Sequence, residues 1–144
     1  MTLREVAYGA PDYDATVALR DAVLRRPLGL VFTPEQLAAE ADEIHLAGFA
    51  DDGAVRACVV LVPKPDGVMK LRQMAVHPDH QRQGLGARLV AFAEQVARAR
   101  GAHRMVLNAR DAALGFYAGL GYAVEGEGFV EVTIPHHTMV KDLE

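Results

Sequence analysis

The spacing of apolar positions changes several times along this chain, and each change marks an element. From Leu3 to Tyr8 (LREVAY) apolar and polar residues alternate weakly, which predicts a first strand. Val17, Leu19, Ala22 and Val23 then take helical spacing behind Asp14, a capping residue type, and Pro27 requires that helix to stop before it. Thr33-Pro34 opens a second, short helix. A capping threonine, a proline at the first helical position and Gln36 at capping-box spacing carry it past Leu37 toward Glu43. Next, His45–Ala50 (HLAGFA) and Ala54–Pro63 (AVRACVVLVP) flank the hairpin signal Asp51-Asp52-Gly53. Cys58 to Val62 is apolar at consecutive positions, as in a strand covered on both faces. Pro65-Asp66-Gly67 predicts another turn and Val68–Val76 (VMKLRQMAV) another strand.

The period then becomes helical. Leu85, Leu89, Phe92 and Val96 recur at spacings of four, three and four, one face of a helix ending near Gly101. His103–Ala109 is a further strand and Asp111 to Gly119 a short helix; Tyr122–Val132 and Pro135–Leu143 form a final pair of strands. The order is strand, two helices, three strands, helix, strand, helix, two strands. It predicts a mixed α/β architecture around one sheet. Within VMKLRQMAV the parity slips: Met69 and Leu71 are apolar at odd positions, Met74 and Val76 at even ones. One extra residue near Arg72-Gln73 produces such a slip, and so does a strand buried on both faces.

Composition narrows the class. The chain has 144 residues, the length of one domain (1–144), with 51% hydrophobic and 24% charged residues, which excludes disorder. No run approaches the roughly 18 apolar residues of a membrane helix. The opening MTLREVAYGAPDYD lacks the apolar core of a signal peptide. The single cysteine, Cys58, has no partner for an internal disulfide, so a reducing cytoplasmic setting is expected. A net charge of −4 argues against a nucleic-acid or membrane-surface binder.

That charge is uneven. Lys70, Arg72, Arg82 and Arg88 face one acid, Asp79, in their stretch. Six acids between Glu35 and Asp52 precede one base, Arg56. Charge runs are ordinarily solvated faces, but the basic one coincides with a candidate anion site. In QMAVHPDHQRQGLGARLV (Gln73–Val90) a strand leads through QRQGLGA into the long helix. Gly84 and Gly86 remove side chains where a ligand would meet bare backbone, and the free N–H groups of a helix's first turn attract phosphate. Three binders compete for this motif. A P-loop needs G-x-x-x-x-G-K-[ST], which is absent, and a dinucleotide fingerprint needs a third glycine where Leu89 stands.

The third is coenzyme A. Gln81-Arg82-Gln83-Gly84-Leu85-Gly86 resembles the Q/R-x-x-G-x-G/A signature of the GNAT superfamily of N-acyltransferases, and the preceding AVHP fits that family's phrasing. ARDAALGFYAGLGY (Ala109–Tyr122) resembles its downstream segment. LRDAVLRRPLGL, the LNA triplet and GFVEVTIPHHTMVKDL are similar to the ElaA/YjcF-like group. The resemblance implies a single mixed, mostly antiparallel sheet of six to seven strands flanked by about four helices, with a splayed, bulged central strand. It also implies acetyl-CoA as co-substrate, a small primary amine as acceptor, and direct transfer between them. A homodimer is compatible, and no metal is implied.

The resemblance further assigns roles. The backbone of Met74, Ala75 and Val76 would hold pantetheine and the acetyl carbonyl, and Arg82, Gln83, Gly84, Leu85, Gly86 and Ala87 the pyrophosphate. Tyr117 matches the tyrosine that protonates the departing thiolate, although alone Phe116-Tyr117 also reads as the apolar face of a short helix. Asn108 either touches pantetheine or caps a strand end. His136 and Glu131 are alternatives for the general base, with imidazole titrating in the useful range. His45, Gln73 and His136 are candidates for the acceptor pocket, and the acidic stretch Glu35 to Asp52 would draw in a cationic amine. His77 and His80, or His136 and His137, offer paired imidazoles, but neighbours on a strand face opposite ways and cannot share an ion. An acyl-CoA sensor without catalysis is the alternative class; retention of Tyr117 favours the enzyme.

Overall fold

The computed structural model describes residues 1–143. Strand β1 (Thr2–Val6) leads to helix α1 (Pro11–Arg20), which begins three residues before Asp14. Ala10 is its N-cap, proline takes the first helical position, and Asp12 and Asp14 sit in the first turn against the positive end of the helix. Pro27 does not follow a clean stop. The helix widens into a π-turn at Asp21–Arg25 and tightens into a 3-10 turn at Arg26–Leu28, closed by Gly29 at φ 71°. Helix α2 is only Pro34–Ala38, yet its capping box is complete. Gln36 N–H donates to Thr33 Oγ1 at 3.1 Å and Thr33 N–H to Gln36 Oε1 at 2.9 Å.

The remaining elements follow the expected order: β2 (Ile44–Phe49), β3 (Val55–Lys64), β4 (Val68–Val76), α3 (Leu85–Ala99), β5 (Arg104–Arg110), α4 (Leu114–Gly119), β6 (Ala123–Val124), β7 (Phe129–Glu131) and β8 (Ile134–Asp142). They form one mixed sheet in the order β1-β2-β3-β4-β5-β8-β6, with β7 also paired to β8. Only β4 and β5 run parallel among these pairings. The sheet has eight strands because the segment expected as one strand from Tyr122 breaks into β6 and β7, which pair with different parts of β8.

Both faces are covered. Leu85, Leu89, Ala93 and Ala97 of α3 pack on Leu46, Val59, Leu61, Leu71 and Leu107. On the other face Tyr13 and Leu19 of α1 pack on Ala47, Cys58 and Ala75. Two covered faces explain the unbroken apolar run of β3, and each fully buried leucine contributes about 1.5–3 kcal/mol. Among the described residues no helix is long and apolar enough to cross a membrane.

A buried ion pair ties the α1 layer to the sheet. Arg20, 1% exposed, donates from Nη1 and Nη2 to the two carboxylate oxygens of Glu40, each at 2.7 Å. Tyr13 Oη donates to the same carboxylate at 2.7 Å. Arg20 Nη1 also donates to Gln73 Oε1 on β4 at 2.7 Å. The arginine and the tyrosine together hold the Glu40 carboxyl below its ordinary range against the cost of burial.

Candidate active site

The site is an irregularity of β4. Val60 lies opposite Arg72 and Cys58 opposite Ala75, so Gln73 and Met74 share the single position facing Val59. That is the β-bulge expected from the parity slip, with Gln73 at φ 53° and its side chain tied to Arg20. Beyond it the central strands part. β4 pairs with β5 only from Val68–Arg104 to Leu71–Leu107, whereas β5 stays paired with β8 as far as Arg110–His136. The β5-facing edge of Met74 to Val76 therefore has no strand partner, and the opening is a cleft of about 570 Å³.

Six of the residues singled out in the sequence line this cleft: Gln73, Met74, Asn108, Tyr117, Glu131 and His136. Ala75 lies beside it, buried under α1, and Val76 ends the strand. His45 does not join them. It lies on β2, beyond β3 from the bulge, with its ring 4.9 Å from that of Tyr13 and Nε2 3.0 Å from the Glu40 carbonyl. Its surroundings are those of a packed histidine in the α1 layer. No acid of the acidic stretch lines the cleft; three of the six have partners, with Glu40 paired to Arg20, Glu43 to Arg72, and Asp52 accepting from Ala54 N–H.

Tyr117 is carried into the cleft by α4. Its ring packs edge-on against Phe116 at 4.9 Å and Tyr122 at 5.8 Å. Burial alone pushes its hydroxyl up to about 12, so it stays protonated across the neutral range. Asn108 Oδ1 accepts from Thr138 Oγ1 at 2.9 Å, which leaves the amide NH₂ as the free end. His136 lies 2.7 Å from the Ile134 carbonyl through Nδ1. A carbonyl only accepts, so Nδ1 carries the proton and Nε2 is the basic nitrogen of the neutral ring. Glu131 Oε2 stands 3.6 Å from that Nε2, and Phe129 stacks on the ring at 5.8 Å. His137 turns the other way and meets Asp111 at 2.6 Å.

The glycine motif lies at the start of α3, outside the cleft lining. Gly84 is the N-cap at φ 79°, and a Cβ there would meet nothing within 4 Å. The first helical bond returns from Arg88 N–H to the Gly84 carbonyl at 3.1 Å. The N–H groups of Leu85, Gly86 and Ala87 thus lack helical acceptors and form the positive end of a long helix. At Gly86 a Cβ would sit 3.4 Å from Phe116 Cζ, so this glycine also admits the α4 ring. Gln81 Nε2 donates to the Val76 carbonyl at 3.0 Å and ties the loop to the end of β4. Arg82 and Gln83 are exposed.

Backbone strain gathers here. The non-glycine residues at positive φ are Asp66, Gln73, Arg82, Val132 and Thr133. Gln73 is the bulge, Arg82 the glycine loop, and Val132-Thr133 the tight turn from β7 to β8 that overhangs the cleft. β-Branched residues resist such φ values, so the boundary expected from the sequence falls after Val132, before the strand from Pro135, whereas the turn itself is Val132-Thr133. Arg25, Gln36, Lys70, Arg72, Arg110 and Phe116 also line the cleft without having been picked as site residues. Lys70 and Arg72 counted only toward the local basic charge, and Arg25 lies in LRDAVLRRPLGL, a segment that marks the resemblance but assigns it no role.

The Acetyltransferase (GNAT) family model matches residues 14–122. The chain belongs to that family. YjcF of Bacillus subtilis, an uncharacterized N-acetyltransferase, is 37% identical over 78 residues, 54% of this chain and 56% of that one. Escherichia coli ElaA superposes with a TM-score of 0.81 at 17% identity, covering 97% of this chain and 98% of its own. An aminoglycoside 6′-N-acetyltransferase solved with coenzyme A superposes with a TM-score of 0.84 at 17% identity, covering 100% and 98%. This GNAT protein is accordingly an acyltransferase of the acyl-CoA-dependent class, on the fold that the glycine motif and the slipped strand led one to expect.

Proposed function

We propose that this GNAT protein, acting as one domain, moves the acetyl group of acetyl-CoA to the primary amine of a small molecule by direct attack. The observation that carries this is the parting of β4 from β5 beside Tyr117, which leaves an unpaired backbone edge next to a buried hydroxyl. The pantetheine amides take the place of the missing strand along Met74, Ala75 and Val76. The pyrophosphate meets the N–H groups from Arg82 to Ala87, where charge and dipole favour an anion. Asn108 offers its amide NH₂ to pantetheine or to a bound water.

The amine nitrogen attacks the thioester carbonyl carbon and the C–S bond breaks. The departing sulfur takes a proton from the Tyr117 hydroxyl, and the new amide nitrogen loses one to His136 Nε2, with Glu131 stabilising the imidazolium. A free thiol titrates near ~8.5 and would not draw a proton from a phenol near 12. The transfer works because the thiolate is born in the same desolvated cleft, where its own proton affinity rises for the same reason.

Calorimetric titration with acetyl-CoA, with NADH and ATP as controls, tests the donor site; thiol release with a panel of amines tests transfer. Micromolar binding of acetyl-CoA alone, followed by amine-dependent thiol release, is the expected result. Binding with no acceptor at all would mark an acyl-CoA sensor instead, and no binding would remove the reading.

A further inference from the structure

The walls of the cleft divide by charge, and the division bears on the acceptor. On β4, Met69 and Leu71 enter the α3 core, so Lys70 and Arg72 point to the α1 face. On β5, Leu107 and Ala109 do the same, which turns Asn108 and Arg110 to that face. Arg110 is paired in register with His136 of β8. From above, the π-turn brings in Arg25. Four cations thus line the cleft against a single carboxylate, Glu131.

These cations are mostly unspent. Arg72 lies 3.5 Å from Glu43, but among the described residues Arg25, Lys70 and Arg110 have no carboxylate partner; outside the cleft Arg56, Lys64, Arg82 and Arg88 also have none, whereas Arg4, Arg26, Arg100, Arg104 and Lys141 do. Arg25 is held by a neutral group, Gln36 Oε1 at 3.0 Å, and by the face of Phe32 at 4.3 Å. Its Nε is buried without a partner. Gln36 is itself fixed by the capping box of α2, so the guanidinium is oriented yet not neutralised. Leu24, Leu30 and Ile134 add apolar surface to the same lining.

We infer that the acceptor is a primary amine that also carries an acid group, a carboxylate or a phosphate, bound by Arg25, Lys70 and Arg110 while the amine meets His136 and Glu131. This rests on the acyltransferase reading above and narrows its acceptor class. A polycation is repelled by this wall, and a plain alkylamine leaves its charges unpaired.

Matched acceptors test it: 4-aminobutyrate against butylamine for the carboxylate, O-phosphoethanolamine against ethanolamine for the phosphate, and spermidine as the polycation. The acid-bearing member of at least one pair should show kcat/KM about tenfold or more above its partner. Lys70→Glu and Arg110→Glu should each erase most of that preference while the acetyl-CoA Kd stays put. Equal rates within both pairs, or a preference for butylamine, ethanolamine or spermidine, overturns the inference. So does failure of every acid-bearing amine with protein that binds acetyl-CoA. If the two substitutions instead raise the acetyl-CoA Kd, the cations serve the donor's phosphates and the inference falls alone. If the unmodified protein does not bind acetyl-CoA, the acyltransferase reading falls first and takes this one with it.

Discussion

The two sides of the cleft are made of different material. On the α3 side, the proposed donor site is backbone: the open edge of Met74 to Val76 and the free N–H groups after Gly84, with Arg82 and Gln83 turned to solvent. On the α1 side, the proposed acceptor site is side chain: Arg25, Lys70, Arg110 and His136, brought together from a π-turn and three strands. A backbone site answers to conformation, so it tolerates most substitutions and fails where φ or bare space is lost. A side-chain site answers to each group and to what holds that group in place.

The largest effect should come from the frame beneath the acceptor side. Arg20→Met strands Glu40 as an unpaired buried carboxylate and releases Gln73 from the bulge, so stability should fall by ~3–5 kcal/mol in denaturant unfolding. An unchanged midpoint would mean that the α1 face does not lean on this pair. Next is Tyr117→Phe, which keeps the ring packing and removes the proton donor. Turnover should drop about a hundredfold with the acetyl-CoA Kd nearly intact. Equal losses in both would reassign Tyr117 to packing.

On the donor side, Gly84→Val places a branched side chain at φ 79° in the open space before α3. Acetyl-CoA should bind about thirtyfold more weakly by calorimetry, with the protein still folded. Alkali should act gradually on both sides at once. Burial raises Cys58 and Tyr117 each to about 12, and the folded state keeps these protons after the unfolded chain has lost them. Their contribution is complete below the unfolded values and disappears as pH rises from about 9 toward 12, so Tm should decline across that window. The smallest change should be Arg82→Ala, under about threefold in acetyl-CoA affinity, because an exposed charge adds little to a backbone cradle. A loss as large as that of Gly84→Val would end the contrast between the two sides.

Much of the donor side was legible because its determinants are local. Gly84 and Gly86 lie in one short motif, and the bulge left its mark as a change of parity between Leu71 and Met74 within a single strand. Helix starts were less legible. Asp14 is as good a cap as any, but Pro11 was better placed to begin the helix, and propensity alone did not rank them. The break between β6 and β7 falls at residues 125–128, where Gly126 and Gly128 interrupt residues that otherwise have strand character, so the strand expected from Tyr122 to Val132 runs through a glycine signal that the sequence does contain.

By itself, then, the sequence determined the order of elements, the covered sheet, the glycine loop and the slipped strand, all of which follow from spacings within about a dozen residues. Tertiary structure decided which charges face the cleft. It sent Glu40 and Glu43 of the acidic stretch to Arg20 and Arg72, set His45 among tyrosines, and left Arg25, Lys70 and Arg110 without carboxylates. Charge pairing depends on distances between residues far apart in the chain, and only the packed sheet fixes those distances.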